Sequence, residues 1–422
     1  MSTPRPRLEL AIVLCSAITF FLLLASYMAF RPVRDALILD GNPDDIPWLF
    51  TGTLVATLIV SPLWSALLVR RARRRVVPIA FWAFALCLVG FAVLVGIEVS
   101  PVWVGRAFYI WSSVFNIFVV SVFWSLLADL LGPATARRLY GPIAAGGTLG
   151  ALAGPALTKA IVNAVGVHGV LLMSACMLGV AAMVVRVVRR LGEQLGDRDQ
   201  EPATAAKPTS VRSAWEPLDR VARQPYLAAI VGYVLCTAWA ATFLYLEQAS
   251  IVKTAFATRE ARAEWFSTVD FASQGVALIL QSFIAAPLLG RLGPGLVLCA
   301  LPLIQGLGIS ALAVTPTVTT LAIVQLASRG VTHGLTRPAR ELLFTVVERD
   351  DKYRAKNAID TIAYRFGDFS GSWLHRGLAA LTVGNTPLVV ATIPLVGLWI
   401  GLALGLGAGF GRRAADRRDD QP

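Results

Sequence analysis

The segment Leu8-Glu9-Leu10-Ala11-Ile12-Val13-Leu14-Cys15-Ser16-Ala17-Ile18-Thr19-Phe20-Phe21-Leu22-Leu23-Leu24-Ala25-Ser26-Tyr27-Met28-Ala29-Phe30 carries a single charged residue, Glu9. About 20 mainly apolar residues in an α-helix cross the hydrocarbon core of a bilayer. The segment is too long for the apolar region of a secretory signal, and Tyr27 to Pro32 is a poor cleavage site. It therefore predicts a first membrane-spanning helix.

The same pattern recurs along the whole chain of 422 residues. Hydrophobic residues make up 56% of it, charged residues only 15%, and the mean hydropathy is +0.65. A soluble domain has about 25% charged residues, so an ordinary soluble enzyme is excluded and an all-α integral membrane protein is predicted. The predicted spans, numbered one to twelve, are 8–30, 47–69, 76–97, 103–131, 139–164, 167–188, 225–250, 265–290, 294–314, 317–338, 357–382 and 386–409.

The basic residues predict the orientation in the membrane. Of the 38 lysines and arginines, 28 fall on the side of the two termini, five on the opposite side and five within spans. By the positive-inside rule both termini are cytoplasmic, and the protein is a multi-pass protein of the cell (inner) membrane. The net charge of +12 thus has a topological origin, and nucleic acid is not expected as a partner.

The sequence offers no pattern for a cofactor, a metal site or an enzyme. The five cysteines all fall in spans without metal-ligand spacing, and the three histidines lie far apart. Phosphate-binding loops and nucleophile triads are also missing from the sequence. We expect no cofactor, no metal and no enzymatic activity.

A polar stretch divides the spans into two sets of six. The predicted organisation is a first bundle at 1–188, a cytoplasmic linker at 189–224, a second bundle at 225–411 and a cytoplasmic tail at 412–422. Residues 214–221 predict a short amphipathic surface helix. At an offset of 217 residues Gly150 and Gly154 coincide with Gly367 and Gly371, and Lys159 coincides with Arg376. Two parallel six-helix repeats resemble the major facilitator superfamily, whose halves rock around a midplane site.

Small residues recur on one face of span five. Gly146, Gly150 and Gly154 are spaced by four, which permits close backbone contact with a neighbouring helix. The equivalent glycines of span eleven are expected to pack in the same way. The spacing also resembles the fifth-helix antiporter motif of the superfamily, although Thr158 and Lys159 replace its later glycines. Plain helix packing and the antiporter motif both remain open.

Four sequence blocks resemble the ATP:ADP antiporter family of plastids and intracellular bacteria. They are Phe30-Arg31-Pro32-Val33-Arg34-Asp35, Phe123-Trp124-Ser125-Leu126-Leu127-Ala128-Asp129, Arg340-Glu341-Leu342-Leu343, and the segment from Lys356 to Gly371. The resemblance places the chain in a divergent branch of the major facilitator superfamily and implies an antiporter that exchanges nucleotides. The chain departs from the family pattern at Arg34, where lysine is common, and at Asp129, where the family block ends in Asn-Gln.

Charged and aromatic residues inside the spans, together with the two arginines just beyond the end of span one, are the candidates for substrate binding. Buried charges usually face the bundle interior, and guanidinium groups bind phosphate and carboxylate by paired hydrogen bonds. The predicted substrate-binding residues are Arg31, Arg34, Asn116, Trp124, Arg329 and His333. In the alternative interpretation Arg34 pairs with Asp35 or Asp40, and Trp124 is core instead of stacking on a base. Arg329, His333 and Arg337 are spaced by four and predict one helical face.

Opposite charges in the two halves are candidates for gates or coupling sites. The predicted set is Asp35, Asp129, Lys159, Glu247, Asp270, Glu341, Asp360, Arg365, Asp368 and Arg376. The alternative for each acid is a structural pair that fixes helix register. Lys159 and Arg376 are equally compatible with side chains that extend to the outer interface.

Three function classes follow from these residues. The first is an antiporter of an anionic or phosphorylated metabolite such as a nucleotide, working as a monomer in the lipid bilayer. The second is a proton-coupled exporter of a small organic compound or drug that uses Glu247 or Asp270. The third, a carrier-like scaffold or sensor, is distinguished by the absence of any gradient-dependent flux.

Overall fold

The computed structural model describes residues 5–70, 73–195, 224–348, 356, 359–381 and 386–419. These residues form helices and short connections, and no strand occurs among them. In the first half the helices are Arg5–Ile38 (span one), Ile46–Arg70 (span two), Arg73–Gly96 (span three), Pro101–Leu130 (span four) and Pro133–Leu195 (spans five and six). A 3-10 turn, Pro43–Asp45, precedes span two.

In the second half span seven is Pro225–Ala255, and span eight begins with Arg259–Ile279 and continues through a π-helical turn, Leu280–Ile284. The following helices are Ala285–Leu298, Ala300–Val314, Val318–Val331, Arg337–Leu343, Tyr364–Leu381 and Thr386–Asp419. Two further π-helical turns are Thr332–Thr336 in span ten and Ile359–Ala363 in span eleven, and a 3-10 turn is Phe344–Val346.

Two glycines separate consecutive spans inside apparently continuous helices. Gly166 has φ 69° and ψ 173°, and it lies between predicted spans five and six. Gly293 has φ 72° and ψ 169°, and it lies between predicted spans eight and nine. A positive φ is accessible to glycine without the Cβ penalty that other residues meet, so each glycine permits the sharp reversal.

Seven described helices are long and apolar enough to cross a membrane. Two of them hold two spans each: Thr135–Leu195 has 61 residues and Arg259–Leu298 has 40, whereas one crossing needs about 20. The spans follow the predicted order, and the all-α membrane fold is confirmed. Two spans end later than predicted. The helix of span six continues to Leu195 instead of ending at residue 188, and that of span twelve continues to Asp419 instead of ending at residue 409. The amphipathic segment 214–221 lies outside the described residues.

The first compact unit comprises residues 1–41, 55–208 and 256–271. Its interior contains a cluster of aromatic rings from spans one and four. Phe30 packs against Phe108 and Phe115, with ring centroids 5.6 and 5.4 Å apart, and Trp111 stacks on Phe115 at 5.3 Å. The first turns of span eight, residues 259–271, belong to this unit, so their side chains meet those of span one.

The glycines of span five allow its backbone to approach that of span one. A Cβ added at Gly146 or Gly150 would overlap the carbonyl oxygen of Ala17 or Phe21, and one at Gly154 would lie 2.6 Å from that of Ala25. Thr158 extends the contact by donating a 2.8 Å hydrogen bond to the Ala29 carbonyl. The three glycines spaced by four residues therefore lie along one contact between spans one and five.

The second compact unit comprises residues 42–54, 209–255 and 272–422. Its core includes Tyr233, whose hydroxyl donates to the Leu298 carbonyl at 2.9 Å, and the fully buried Trp399. Span eleven packs on span seven through Gly367 and Gly371, where added Cβ atoms would meet Ala238 at 2.5 Å and Trp239 at 2.8 Å. Glycines at equivalent positions thus serve equivalent contacts in the two units.

Candidate functional site

An ion pair joins spans one and eight in the first unit. Arg31 lies one residue before Pro32 near the C-terminal end of span one, and its Nη1 is 3.7 Å from Oδ2 of Asp270. The Asp270 side chain is 4% exposed, whereas that of Arg31 is 26% exposed. The separation exceeds the 2.7–2.9 Å of a charge-assisted hydrogen bond. Arg31 therefore has a counter-ion that does not occupy its guanidinium fork.

Arg34 has a different environment, although it lies only three residues further along the same helix. Its Nη2 and Nε donate to the same Oδ1 of Asp35 at 2.6 and 2.9 Å, and its guanidinium lies 4.9 Å from the Tyr109 ring centroid. Both Arg34 and Asp35 are buried. Of the two partners anticipated for Arg34, the structure selects Asp35.

Asp40, at the end of span one, holds the first turn of span eight. Its Oδ2 accepts from Nε of Arg259 at 2.7 Å, and its Oδ1 accepts from Nη1 of Arg262 at 3.3 Å. Arg262 is buried and also donates to the Phe256 carbonyl at 2.9 Å. The Asp40 carboxylate therefore binds two arginines of span eight. These arginines come from the second half of the sequence but belong to the first compact unit.

In the second unit a group of three side chains joins spans seven and ten. Gln248 Oε1 accepts from Nε2 of Gln325 at 2.7 Å and from Nη2 of Arg329 at 3.2 Å. The two glutamines are 1% and 3% exposed, and Arg329 is half-buried. The sequence analysis selected Arg329 because it is charged. It missed both glutamines because residues in the spans were selected by their charge, and glutamine has none.

Glu247 and His375 form a second pair between spans seven and eleven. Glu247 Oε1 lies 3.3 Å from Nε2 of His375, and both side chains are about one-fifth exposed. They line a cavity of about 350 Å³. The other lining residues are Asn42, Pro43, Asp44, Pro47, Leu246, Ser250 and Arg376. His375 is a partner that sequence reasoning discounted because the three histidines are scattered along the chain.

The remaining charged candidates of the second unit contact other groups of that unit. Arg365 lies 3.3 Å from Asp368 one turn away, and Arg376 donates to the Asp44 carbonyl at 3.1 Å. Glu341 accepts from Lys356 at 2.6 Å. The Asp360 side chain lies outside the described residues. These contacts agree with the alternative of pairs that fix helix positions, and gating by them stays a prediction.

The aromatic candidates in span four belong to a ring cluster. Trp124 meets Phe20, Phe123 and Tyr140 edge-on, with centroids 5.3, 5.5 and 5.0 Å apart. Trp124 is half-buried, as is Asn116 two turns earlier. The contacts place the Trp124 ring in the packing of spans one, four and five, and base stacking on it stays a prediction.

Three other candidates are His333, Lys159 and Asp129. The π-helical turn Thr332–Thr336 interrupts span ten, so the α-helical spacing assumed for Arg329, His333 and Arg337 does not hold there. A π-helical turn closes its hydrogen bonds from i to i+5 instead of i to i+4, which rotates the residues after it. His333 and Lys159 are exposed, and Asp129 is half-buried.

Seven described helices of membrane-crossing length and apolar composition indicate a multi-pass membrane protein. The family model described as Major Facilitator Superfamily matches residues 12–348, and the chain belongs to this family.

Among curated proteins the chain is similar to two that are named ADP,ATP carrier protein 1. One is from Chlamydia muridarum (strain MoPn / Nigg) and one from Chlamydia trachomatis serovar D. Each is 24% identical over 349 residues, which is 73% of this chain. The match spans 65% and 66% of the relatives' own length, so this chain corresponds to a part of them.

Solved transporter structures show the same fold. A point mutant of the peptide transporter POT gives a TM-score of 0.64 at 14% identity, covering 98% of this chain and 99% of that one. A bacterial homologue of the iron transporter ferroportin in an inward-facing state gives 0.63 at 15%, covering 97% and 99%. A point mutant of the nucleoside transporter NupG gives 0.60 at 14%, covering 96% and 99%.

Proposed function

We propose that this protein is an alternating-access antiporter that exchanges an anionic, phosphorylated metabolite of the nucleotide class. The observation that carries the proposal is the arrangement around Arg31, whose partly exposed side chain has its counter-ion 3.7 Å away. Charges within spans are costly and usually mark substrate pathways. A phosphate group supplies two oxygens to a guanidinium fork.

The two arginines of span one have separate roles in this proposal. Arg34 binds Asp35 through two of its donors and lies over the Tyr109 ring, so we assign it a structural role. Arg31 retains donors that a phosphate oxygen can accept. The 24% identity to proteins named ADP,ATP carrier supports a nucleotide as the substrate.

The geometry suggests how exchange would be coupled. When a phosphate binds Arg31 it competes with Asp270, the residue that ties span eight to span one. Without substrate the ion pair holds the two helices together, and with substrate the pair opens. The empty carrier therefore reorients slowly, which is the property that turns a carrier into an exchanger.

Counterflow in proteoliposomes tests the proposal. Vesicles are loaded with ADP, inorganic phosphate or buffer, and uptake of labelled ATP is followed. We expect internal ADP to stimulate uptake and Arg31→Gln to abolish it, whereas Arg291→Gln, which changes an exposed arginine outside this site, keeps it. The proposal fails if neither internal compound stimulates uptake by the unmodified protein.

The Glu247–His375 pair favours a second candidate, proton-coupled export of a small organic compound. A carboxylate and an imidazole 3.3 Å apart on a cavity of about 350 Å³ provide a place for a proton that solvent reaches. Asp270, the other carboxylate considered for this role, is engaged by Arg31.

A pH gradient distinguishes the two candidates. In the proton-coupled case Glu247→Gln abolishes gradient-driven flux of the exported compound, and Asp44→Asn, at another acid of the same cavity, leaves that flux intact. If Glu247→Gln retains gradient-driven flux, the pair does not couple transport to protons.

A further inference from the structure

The cavity of about 350 Å³ lies wholly within the second compact unit. Its walls come from residues 42–47, at the start of span two, and from spans seven and eleven. Small-molecule sites in proteins begin at about 300 Å³ and combine an apolar wall with a few polar groups. Pro47 and Leu246 are buried and form apolar wall, and the polar lining residues are Asn42, Asp44, Glu247, Ser250, His375 and Arg376. The cavity therefore has the size and lining of a site for a small organic compound.

Glu247 differs from other carboxylates of the chain in the kind of group that it contacts. It lies 3.3 Å from the imidazole of His375, through Oε1 and Nε2, and no described arginine or lysine lies within ion-pair distance of it. Charges in a span usually pair with one another, because burying an unpaired charge is costly. Four other buried or half-buried carboxylates each contact an arginine: Asp35, Asp40, Asp270 and Asp368.

Arg376 also lines the cavity but does not pair with Glu247. Its Nη1 donates to the backbone carbonyl of Asp44 at 3.1 Å, and its guanidinium carbon lies 5.5 Å from the Trp373 ring centroid. Arg376 and Asp44 are both exposed, so solvent and salt screen their charges. The Glu247 side chain is only 21% exposed. Glu247 is thus a partly buried negative charge on the cavity, and the described part of the chain supplies no arginine or lysine to pair with it.

We propose that this cavity binds a small organic cation and that Glu247 accepts hydrogen bonds from its ammonium group. An ammonium group has a full positive charge and several N–H donors, and hydrogen bonds between charged groups are about twice as strong as those between neutral ones. His375 contacts Oε1 of Glu247, and no described residue hydrogen-bonds Oε2. Oε2 can therefore accept from the ligand while His375 keeps its contact. Pro47 and Leu246 would pack against the apolar body of the ligand.

The inference is separate from the nucleotide exchange proposed above. Arg31 and Asp270 belong to the first compact unit, whereas every residue that lines the cavity belongs to the second. It rests on the second candidate function only for the use of the site in transport, and it names the class of compound that this candidate leaves open. Binding at equilibrium, without any gradient, separates the loss of the ligand from the loss of proton coupling.

Three compounds of similar shape test the recognition of charge. Tryptamine ends in an ammonium group, tryptophol in a hydroxyl and indole-3-propionate in a carboxylate. The thermal stability of the full chain in detergent is titrated with each compound, since a ligand stabilises the state that it binds. Glu247→Gln keeps the size of the side chain and removes its charge. The matched control is Asp44→Asn, which removes an exposed charge from the same cavity.

We expect the unmodified protein to bind tryptamine about tenfold more tightly than tryptophol, and indole-3-propionate most weakly. Glu247→Gln should weaken tryptamine binding by about tenfold, the effect of losing a hydrogen bond to a charged group. It should leave tryptophol binding unchanged, which would show that the cavity is intact. Asp44→Asn should change tryptamine binding by less than about twofold, because exposed charges contribute little.

Four results would overturn the proposal. Three concern the unmodified protein: no binding of tryptamine, equal affinity for tryptamine and tryptophol, or tightest binding of indole-3-propionate. These comparisons decide even if Glu247→Gln does not fold. The fourth is a Glu247→Gln variant in which the ratio of tryptamine to tryptophol affinity is the same as in the unmodified protein.

Discussion

Asp270→Asn provides a sharp test of the competition at Arg31. The substitution keeps the size of the side chain and removes the negative charge 3.7 Å from the guanidinium. If a substrate phosphate must displace this carboxylate, the variant binds the substrate more tightly. It also loses the tie between spans one and eight, so the empty carrier reorients more easily.

The magnitude follows from the distance. Two unit charges 3.7 Å apart attract by about 4.5 kcal/mol at an effective dielectric constant of about 20. Solvation of the separated charges offsets most of this attraction, and we take a net value of about 1–2 kcal/mol. Since about 1.4 kcal/mol corresponds to a tenfold change in affinity, the Kd of the substrate should fall roughly five- to thirty-fold.

Two measurements check the prediction. Thermal-shift titration with ATP in detergent gives the change in Kd, and efflux from preloaded proteoliposomes gives the rate with and without external substrate. Asp270→Asn should bind more tightly and release substrate without exchange. Glu260→Gln, which removes a carboxylate on the same helix, should do neither.

A cycle with Arg31→Gln separates competition from a general change in charge. Interacting residues show non-additive effects in such a cycle, so Asp270→Asn should have little influence on affinity once Arg31 is replaced. Unchanged or weaker binding by the single variant Asp270→Asn would refute the reasoning. Equal gains in affinity with and without Arg31 would do the same.

Three further predictions concern stability. Gly150→Val should lower the melting temperature in detergent by the equivalent of about 1–3 kcal/mol, because its side chain overlaps the span one backbone, whereas Gly141→Ala, with open space around it, should not. Arg34→Gln should cost about 1.5–3 kcal/mol of stability by removing the charged donors that bind the buried Asp35 carboxylate, and adding Asp35→Asn should restore part of it; no restoration would contradict the pairing. Asp40→Asn should speed amide hydrogen exchange in the first turns of span eight, and unchanged exchange there would show that the two arginine contacts do not hold that helix.

Much of the fold could be predicted from the sequence because membrane insertion is a local property. A run of about 20 apolar residues crosses the bilayer whatever surrounds it, so the order of the spans was predictable within a few residues at most ends. The breaks at Gly166 and Gly293 fall between predicted spans for the same local reason. The π-helical turns were not predicted, because they depend on contacts with neighbouring helices instead of on composition.

The candidate site was only partly predictable. Charge inside a span identified Asp270 and Arg329, and charge at the end of span one identified Arg31, since an ionisable residue in or beside the membrane calls for a functional explanation. Which charge pairs with which was not accessible: Asp40 meets Arg259 across 219 residues of sequence, and Gln248 meets Gln325 across 77. For Gln248 and His375 the only indication in the sequence was that a polar residue lies within an apolar span.

The sequence by itself determined that this chain is a helical membrane protein, how many times it crosses and which residues carry unusual charge. Those properties depend on residues close together in the chain. Only the tertiary structure decided that Arg34 hydrogen-bonds Asp35 at 2.6 Å while Arg31 faces a carboxylate 3.7 Å away. Only there does Gln248 accept hydrogen bonds from both Gln325 and Arg329. Helix packing brings distant spans within hydrogen-bonding distance, and an ion pair or a hydrogen bond is decided by tenths of an ångström that a linear pattern does not contain.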